Sequence, residues 1–150
     1  MNTASYQDLF EFLEKLGGKL DELTELQKEK TRAVRLDDLL AVNECMKKEQ
    51  VLSLSLRGME IQREKLLKEL GLEKFSLSAM PEHCPPEVRV EARSAAQRLR
   101  DRYLIYKSAA QTSRSALEIN LHQIEKMIAD AEKEHGDTPQ PMGNMTDIRA

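Results

Sequence analysis

LFEFLEKLGGKLDEL, residues 9–23, is the most strongly periodic segment of this 150-residue chain. Its leucines follow one another at spacings of 4, 3, 4 and 3 residues, which places them on one stripe of an α-helix: Leu9, Leu13, Leu16, Leu20 and Leu23. The stripe continues more weakly to Val34, and we predict a first helix over residues 5–35. Gly17 and Gly18 lie inside it, where glycine costs about 1 kcal/mol relative to alanine. We therefore expect a bend or a close helix contact at these glycines.

A second helix follows at residues 38–70, after a change of register at Leu36-Asp37-Asp38. Asp37 can cap its start, and Gly71 stands where a left-handed residue commonly ends a helix. Glu49 and Arg63 interrupt its apolar stripe, so we expect them to have either solvent access or a partner. Residues 72–86 then form a connector of serines and prolines, which we expect to pack onto the helices through Phe75, Leu77 and Met80.

A third helix is predicted over residues 87–134 and is longer than the other two. Its stripe advances by 3 or 4 residues throughout and includes Tyr103 and Tyr106, which we expect to be buried. Beyond Ser113 the apolar face widens. The residues of this wider face are Leu117, Leu121, Ile124, Met127 and Ile128.

Charge predicts how the helices are arranged. The first helix is acidic early and basic late, as the helix dipole favours, whereas the third is basic early and acidic late. Because each end of the third helix carries the sign that its own dipole disfavours, we expect compensation from a neighbour. An up-down-up bundle supplies it by setting the first and third helices parallel, with acidic half beside basic half.

These patterns predict an all-α fold, an elongated up-down-up three-helix bundle or coiled coil with a long third helix and a mobile C-terminal tail. We assign residues 1–135 to the helical domain and residues 136–150, which contain Pro139, Pro141 and Gly143, to the flexible tail.

Composition argues against several classes of function. The formal net charge is -3, and no apolar run approaches the roughly 20 residues of a membrane span. Residues 1–7 lack the features of a signal peptide, so we expect a cytoplasmic protein without membrane insertion. The basic stretch from Arg89 to Arg114 contains Tyr103 and Tyr106, which could stack on bases. Since those tyrosines fall on the apolar stripe and the chain is acidic overall, we predict no binding of nucleic acid.

The sequence also lacks the motifs of an enzyme or a metal site. His83, His122 and His135 stand far apart, and no phosphate-binding loop, nucleophile elbow or dinucleotide fingerprint occurs. Cys45 fits a small hydrophobic residue of a helix, and the neighbours His83 and Cys84 fit a connector better than a metal site. We predict no enzyme activity and no cofactor or metal.

The leucine-spaced first helix, the restart Leu36-Asp37-Asp38-Leu39-Leu40 and the Glu-rich helix that follows it resemble the FlgN family of flagellar export chaperones. The segment from Met59 to Leu67 resembles the family's acidic-then-arginine pattern. The resemblance spans about residues 5–132. It implies a cytosolic chaperone that holds hook-associated (hook-filament junction) proteins before their export through the flagellar type III apparatus.

A binding mode follows from the residues themselves. A partner's amphipathic terminal helix can lay its apolar face onto Leu117, Leu121, Ile124, Met127 and Ile128. Taken singly, each of these residues fits the bundle core or the seam of a homodimer equally well. The alternative function is therefore a structural or adaptor coiled-coil protein that self-associates.

Overall fold

The computed structural model describes residues 4–134, with side chains from Tyr6 onward. It contains three α-helices, the first two joined by a tight turn and the last two by a longer connector. These are α1 (Ala4–Arg35), α2 (Leu39–Glu69) and α3 (Arg89–Glu134). No strand occurs between residues 4 and 134, which confirms the predicted all-α class. Over the same residues no helix is apolar along enough of its length to serve as a membrane span. The predicted tail, residues 136–150, lies outside the described residues.

The chain divides into two compact units, Met1–Leu117 and Glu118–Ala150. Unit 1 contains α1, α2, the connector and the first part of α3, and it holds both clusters of buried apolar residues that the structure describes. The described part of unit 2 is the remainder of α3, residues 118–134.

The turn between α1 and α2 uses two aspartates in two different roles. Asp37 adopts a positive φ of 54°, and the backbone N–H groups of Asp37 and Asp38 donate to the carbonyls of Val34 (3.1 Å) and Ala33 (2.9 Å). This is the Schellman ending of a helix, built on aspartate instead of the usual glycine. The carboxylate of Asp38 accepts the N–H of Ala41 at 3.1 Å. The expectation that Asp37 caps α2 is therefore wrong: Asp38 is the cap, because Asp37 ends the preceding helix.

The end of α2 follows the prediction. Gly71 has a φ of 71°, and the N–H of Leu72 donates to the carbonyl of Leu67 at 2.8 Å. Only glycine adopts this backbone conformation without steric cost. The turn directs Leu72 into the core, where it is almost fully buried, and so starts the connector against α1.

The principal core of unit 1 forms around the leucine stripe of α1. Leu9, Leu13, Leu16 and Leu20 are buried against small residues of α3, and Leu99 closes this contact. The alanines on α3 allow the two helices to approach closely, since they add no side-chain bulk: Ala92, Ala95 and Ala96. The apolar residues of α2 are less completely buried and pack at the edge of this cluster.

Charged contacts confirm that α1 and α3 run parallel within unit 1. Glu14 pairs with Arg98 (3.2 Å) and Arg102 (3.1 Å), and Asp21 pairs with Arg102 (3.4 Å). Residue numbers rise together along both helices in these pairs. The acidic early half of α1 therefore lies beside the basic early half of α3, as the charge pattern predicted.

The later half of α1 finds a partner on α2. Lys30 is buried, and its Nζ lies 3.0 and 3.1 Å from the two carboxylate oxygens of Glu49, which also accepts a hydrogen bond from Gln27. Both charged residues in the stripe of α2 are thus paired, one of the two expected outcomes, since Arg63 lies 2.8 Å from the carboxylate of Glu60. Since α2 begins where α1 ends, the pair of Lys30 and Glu49 joins the two helices in an antiparallel hairpin.

The connector is more ordered than the sequence suggested, because it includes two short 3₁₀ helices, Met80–His83 and Pro86–Val88. Met80 is buried and Phe75 and Leu77 pack against the same core, as predicted. Glu82 accepts two hydrogen bonds from Arg93 of α3, at 2.8 and 3.1 Å, and this contact lowers the pKa of the carboxyl. The start of α3 is correspondingly two residues later than expected, at Arg89.

The two cysteines behave as small hydrophobic residues. Cys45 and Cys84 are free and buried, and burial raises the pKa of both thiols. The His83 ring stacks on Phe75, with ring centroids 3.6 Å apart, while the Cys84 sulfur lies 3.5 Å from the Met80 carbonyl oxygen. The adjacent His83 and Cys84 therefore make separate packing contacts.

Gly17 and Gly18 differ in their surroundings, and alanine substitution should separate them. A methyl group at Gly18 meets no atom within 4 Å, whereas one at Gly17 would collide with the Arg102 side chain, including its Cδ at 2.8 Å. We expect Gly18→Ala to raise the free energy of unfolding by about 1 kcal/mol, the helix-propensity difference. Gly17→Ala should raise the free energy of unfolding by less, because the new methyl group displaces Arg102 from Glu14 and Asp21. Urea unfolding measures both, and the difference should vanish in an Arg102→Ala background.

Burial of both thiols predicts slow alkylation of the folded protein. Because a buried thiol with a raised pKa offers little thiolate to a reagent, labelling of Cys45 and Cys84 should be slower than in denatured protein by at least about two orders of magnitude. Mass spectrometry after timed exposure to iodoacetamide gives the rate at each position. Rapid labelling of either cysteine under native conditions would show that the packing described for it is wrong.

Candidate functional site

The candidate binding surface is the apolar face of α3 in unit 2, which we call the distal stripe: Leu121, Ile124, Met127 and Ile128. Leu121 is 57% exposed, Ile124 43% and Met127 69%, whereas Ile128 is half-buried. Large aliphatic side chains with this much exposure on one helix face form an apolar patch of the kind that marks interaction sites.

Leu117 was predicted as part of the same face but has a different environment. It is half-buried and packs against the second core cluster of unit 1, which contains Ala33, Val34, Val42 and Ala116. Leu117 therefore contributes to the core of unit 1. A place in the bundle core was one of the roles that the sequence allowed for each residue of this face.

Acidic residues follow one flank of the distal stripe. Glu118, Glu125 and Glu132 are spaced by seven residues, two helical turns, so they lie one above the other along α3. The opposite flank carries Met127, which bends readily to fit irregular surfaces because its side chain is unbranched. The two edges of the stripe thus differ in charge.

Unit 1 exposes further apolar residues that the sequence reasoning did not single out. Val51 and Leu54 are each 67% exposed and Ile61 70%. Leu54 and Ile61 lie on the outer face of α2, opposite its buried seam, whereas Val51 lines a groove with Leu26 and Glu29 of α1. Leu36, Leu39 and Leu40 are exposed at the turn between α1 and α2. The spacings of 3 residues from Val51 to Leu54 and of 7 from Leu54 to Ile61 are visible in the sequence. They were overlooked because the inward stripe of α2 satisfied the helix pattern by itself.

The tyrosines of α3 are less buried than predicted. Tyr103 is half-exposed, so its expected burial in the bundle is wrong, while Tyr106 is half-buried. Both line a groove of 320 Å³ whose walls include Leu16, Leu20, Leu56 and Leu104. The gap between α2 and α3 at this level leaves Tyr103 at the rim. Burial, reinforced by the negative charge of Glu49, raises the pKa of Tyr106.

The basic stretch of α3 is largely engaged in contacts within unit 1. Arg93 is held by Glu82, Arg98 by Glu14, and Arg102 by Glu14 and Asp21. Among residues 4–134 no cluster of three or more His, Cys, Asp or Glu side chains has the arrangement of a metal site.

Comparison with known proteins gives a family match. A family model with the description FlgN protein matches residues 1–138, a span that includes all of α1, α2 and α3. A search of curated proteins gave no match, and neither did a search of solved structures.

Proposed function

The chain belongs to the FlgN family, whose members are flagellar export chaperones, and on this basis we propose that it binds hook-associated (hook-filament junction) proteins in the cytoplasm before their secretion. In this proposal the chain is a carrier without catalytic activity. Its partner is a protein, and the bound segment is a helical terminus of the cargo.

The exposure of the distal stripe is the observation that supports this proposal. Complete burial of a leucine, isoleucine or methionine side chain is worth about 1.5–3 kcal/mol. Leu121, Ile124 and Met127 retain between 43 and 69% of their surface in contact with solvent. Covering them with a cargo helix would therefore contribute several kcal/mol, enough to offset part of the entropy lost on association.

Charge gives the cargo helix an orientation. Glu118, Glu125 and Glu132 form one edge of the distal stripe, so a cargo helix with lysine or arginine on the matching edge binds in one direction and not the other. Such rim charges act mainly on the association rate and the salt dependence of binding.

The alternative function, a structural or adaptor coiled-coil protein that self-associates, is favoured by the exposed residues Val51, Leu54 and Ile61 of α2. A scaffold of this kind would form a stable dimer indifferent to flagellar proteins. Light scattering on the purified chain, with and without a hook-associated protein, separates the two functions.

Charged substitutions in the distal stripe test the proposed cargo site. We expect Leu121→Glu combined with Ile124→Glu to weaken binding to hook-associated proteins by at least about a hundredfold, because a buried unpaired carboxylate costs several kcal/mol. Circular dichroism should show unchanged helicity, since both residues are exposed on α3. The affinity is measured by isothermal titration with each hook-associated protein in turn.

A matched control comes from α2. Val51→Glu combined with Leu54→Glu introduces the same two charges at positions of similar exposure, and cargo affinity should stay at the unsubstituted value. If the α3 variant binds normally, or if both variants lose binding equally, the distal stripe is not the cargo site.

A further inference from the structure

A groove of 650 Å³ between α1 and α3 in unit 1 has features that neither the fold nor cargo binding explains. We call it the basic groove. The α1 wall carries three cations, Lys28, Arg32 and Arg35, and the α3 wall carries Ile105, Ser108, Ala109 and Thr112. No carboxylate lines it.

The cations of the basic groove are less engaged than the paired arginines early in α3, Arg93, Arg98 and Arg102. Arg32 and Arg35 are exposed and form no ion pair with any residue from 4 to 134, and Lys28 makes only a solvent-exposed contact with Glu25 at 3.4 Å. By contrast, Arg98 and Arg102 are held by carboxylates of α1. Positive charge in the last turn of α1 suits the helix dipole, but that effect does not require an apolar groove beside it.

The shape and charge of the basic groove define its occupant. Ile105 is 58% exposed and Leu36 71%, so apolar side chains of a ligand can cover them. Cations stand on the α1 wall only. On the α3 wall, Ser108, Ala109 and Thr112 have small side chains, two of them with a hydroxyl group. A helix with an apolar stripe and acidic residues along a single flank fits this arrangement. Lys28 and Arg35 are seven residues apart, so carboxylates that meet both must be separated by about 10.5 Å, two helical turns.

We propose that the basic groove binds the α3 segment of a second copy of this chain, Glu118–Glu134, through its acidic flank and distal stripe. Glu118 and Glu125 are seven residues apart, matching the separation of Lys28 and Arg35. Leu121 and Ile124 lie beside them and cover Ile105 and Leu36. Two copies that exchange these segments form a closed two-fold dimer in which each groove is filled once.

A nucleic acid is a poorer occupant of the basic groove. Its phosphates would satisfy the cations, but no aromatic side chain lines the groove to stack on bases, and Ile105 and Leu36 would remain uncovered. An amphipathic helix satisfies both features at once.

This inference deepens the proposed function and rests on it in one respect, because the docked stripe is the surface proposed for cargo. When cargo is absent, binding to the basic groove of a second copy covers Leu121 and Ile124. A cargo helix then displaces the second copy. The chaperone would therefore keep its apolar face out of solvent between rounds of binding. A groove that engages only a few side chains gives a weak dimer in the micromolar range, which cargo can outcompete.

A charge-swap experiment tests the proposal on the full chain by sedimentation velocity over a hundredfold range of concentration. Arg32→Glu with Arg35→Glu makes the groove acidic, and Glu118→Arg with Glu125→Arg makes the segment basic. Each variant alone should dimerise at least about tenfold more weakly than the unsubstituted chain, since like charges then face each other. An equimolar mixture should regain the dimer, because each groove meets a segment of opposite sign.

The control is Arg57→Glu with Lys65→Glu, which reverses the same charge at exposed positions of α2 and should leave the dimer unchanged. Raising the salt concentration should weaken the dimer of the unsubstituted chain. A chain that stays monomeric throughout, or variants whose mixture fails to recover, overturns the proposal. The proposal is also overturned if the chain forms no dimer but binds a fluorescent oligonucleotide, and the Arg32→Glu, Arg35→Glu variant loses that binding.

The dimer assay contains no cargo, so the two proposals fail separately. If the chain binds hook-associated proteins but never dimerises, only the proposed binding between two copies is contradicted. If the mixed charge-swap variants regain the dimer but the chain does not bind hook-associated proteins, only the proposed function is contradicted.

Discussion

The burial of one leucine stripe of α1 against the small residues of α3 is the contact on which the rest of unit 1 depends. Leu9, Leu13 and Leu16 are almost fully buried, and the alanines opposite them let the helix axes come close. Close approach brings Glu14 and Asp21 within reach of Arg98 and Arg102. These ion pairs are exposed and worth little each. They fix direction and register, while the apolar contact supplies the stability.

Much of this could be predicted from the sequence because two signals agree. The 3-and-4 spacing of Leu9–Leu23 gives the buried face, and the opposed charge gradients of α1 and α3 give their parallel orientation. The helix bounds fall within two residues of the predicted ones. Gly71 is correctly placed because its role depends on local backbone geometry. Where a feature is set by one element or by a long complementary pattern, the sequence contains the information needed.

Other features depend on competition between neighbours, which periodicity does not resolve. Asp37 and Asp38 are both good caps, and Asp38 takes the role because Asp37 is already committed to the end of α1. Tyr103 lies on the apolar stripe of α3, but the groove beside it leaves half its surface in solvent. Leu117 belongs to the core of unit 1 while Leu121, one turn later, is exposed. For the candidate site, the sequence therefore predicts which face of α3 is apolar. It does not predict the position along that face at which the residues change from buried to exposed.

The reversed charge gradient of α3 has a physical cost, which neighbouring elements offset in unit 1. In unit 1 the cations early in α3 meet carboxylates of α1 or the connector. Glu118, Glu125 and Glu132 stand in the half of α3 where the dipole disfavours negative charge. Acidic residues beside an exposed apolar stripe keep that surface soluble and repel wrong partners of like charge. In the two binding modes proposed above, they would also attract a partner with a positive edge, whether a cargo helix or the basic groove of a second copy. The same three carboxylates thus make the exposure of the distal stripe tolerable and restrict what can cover it.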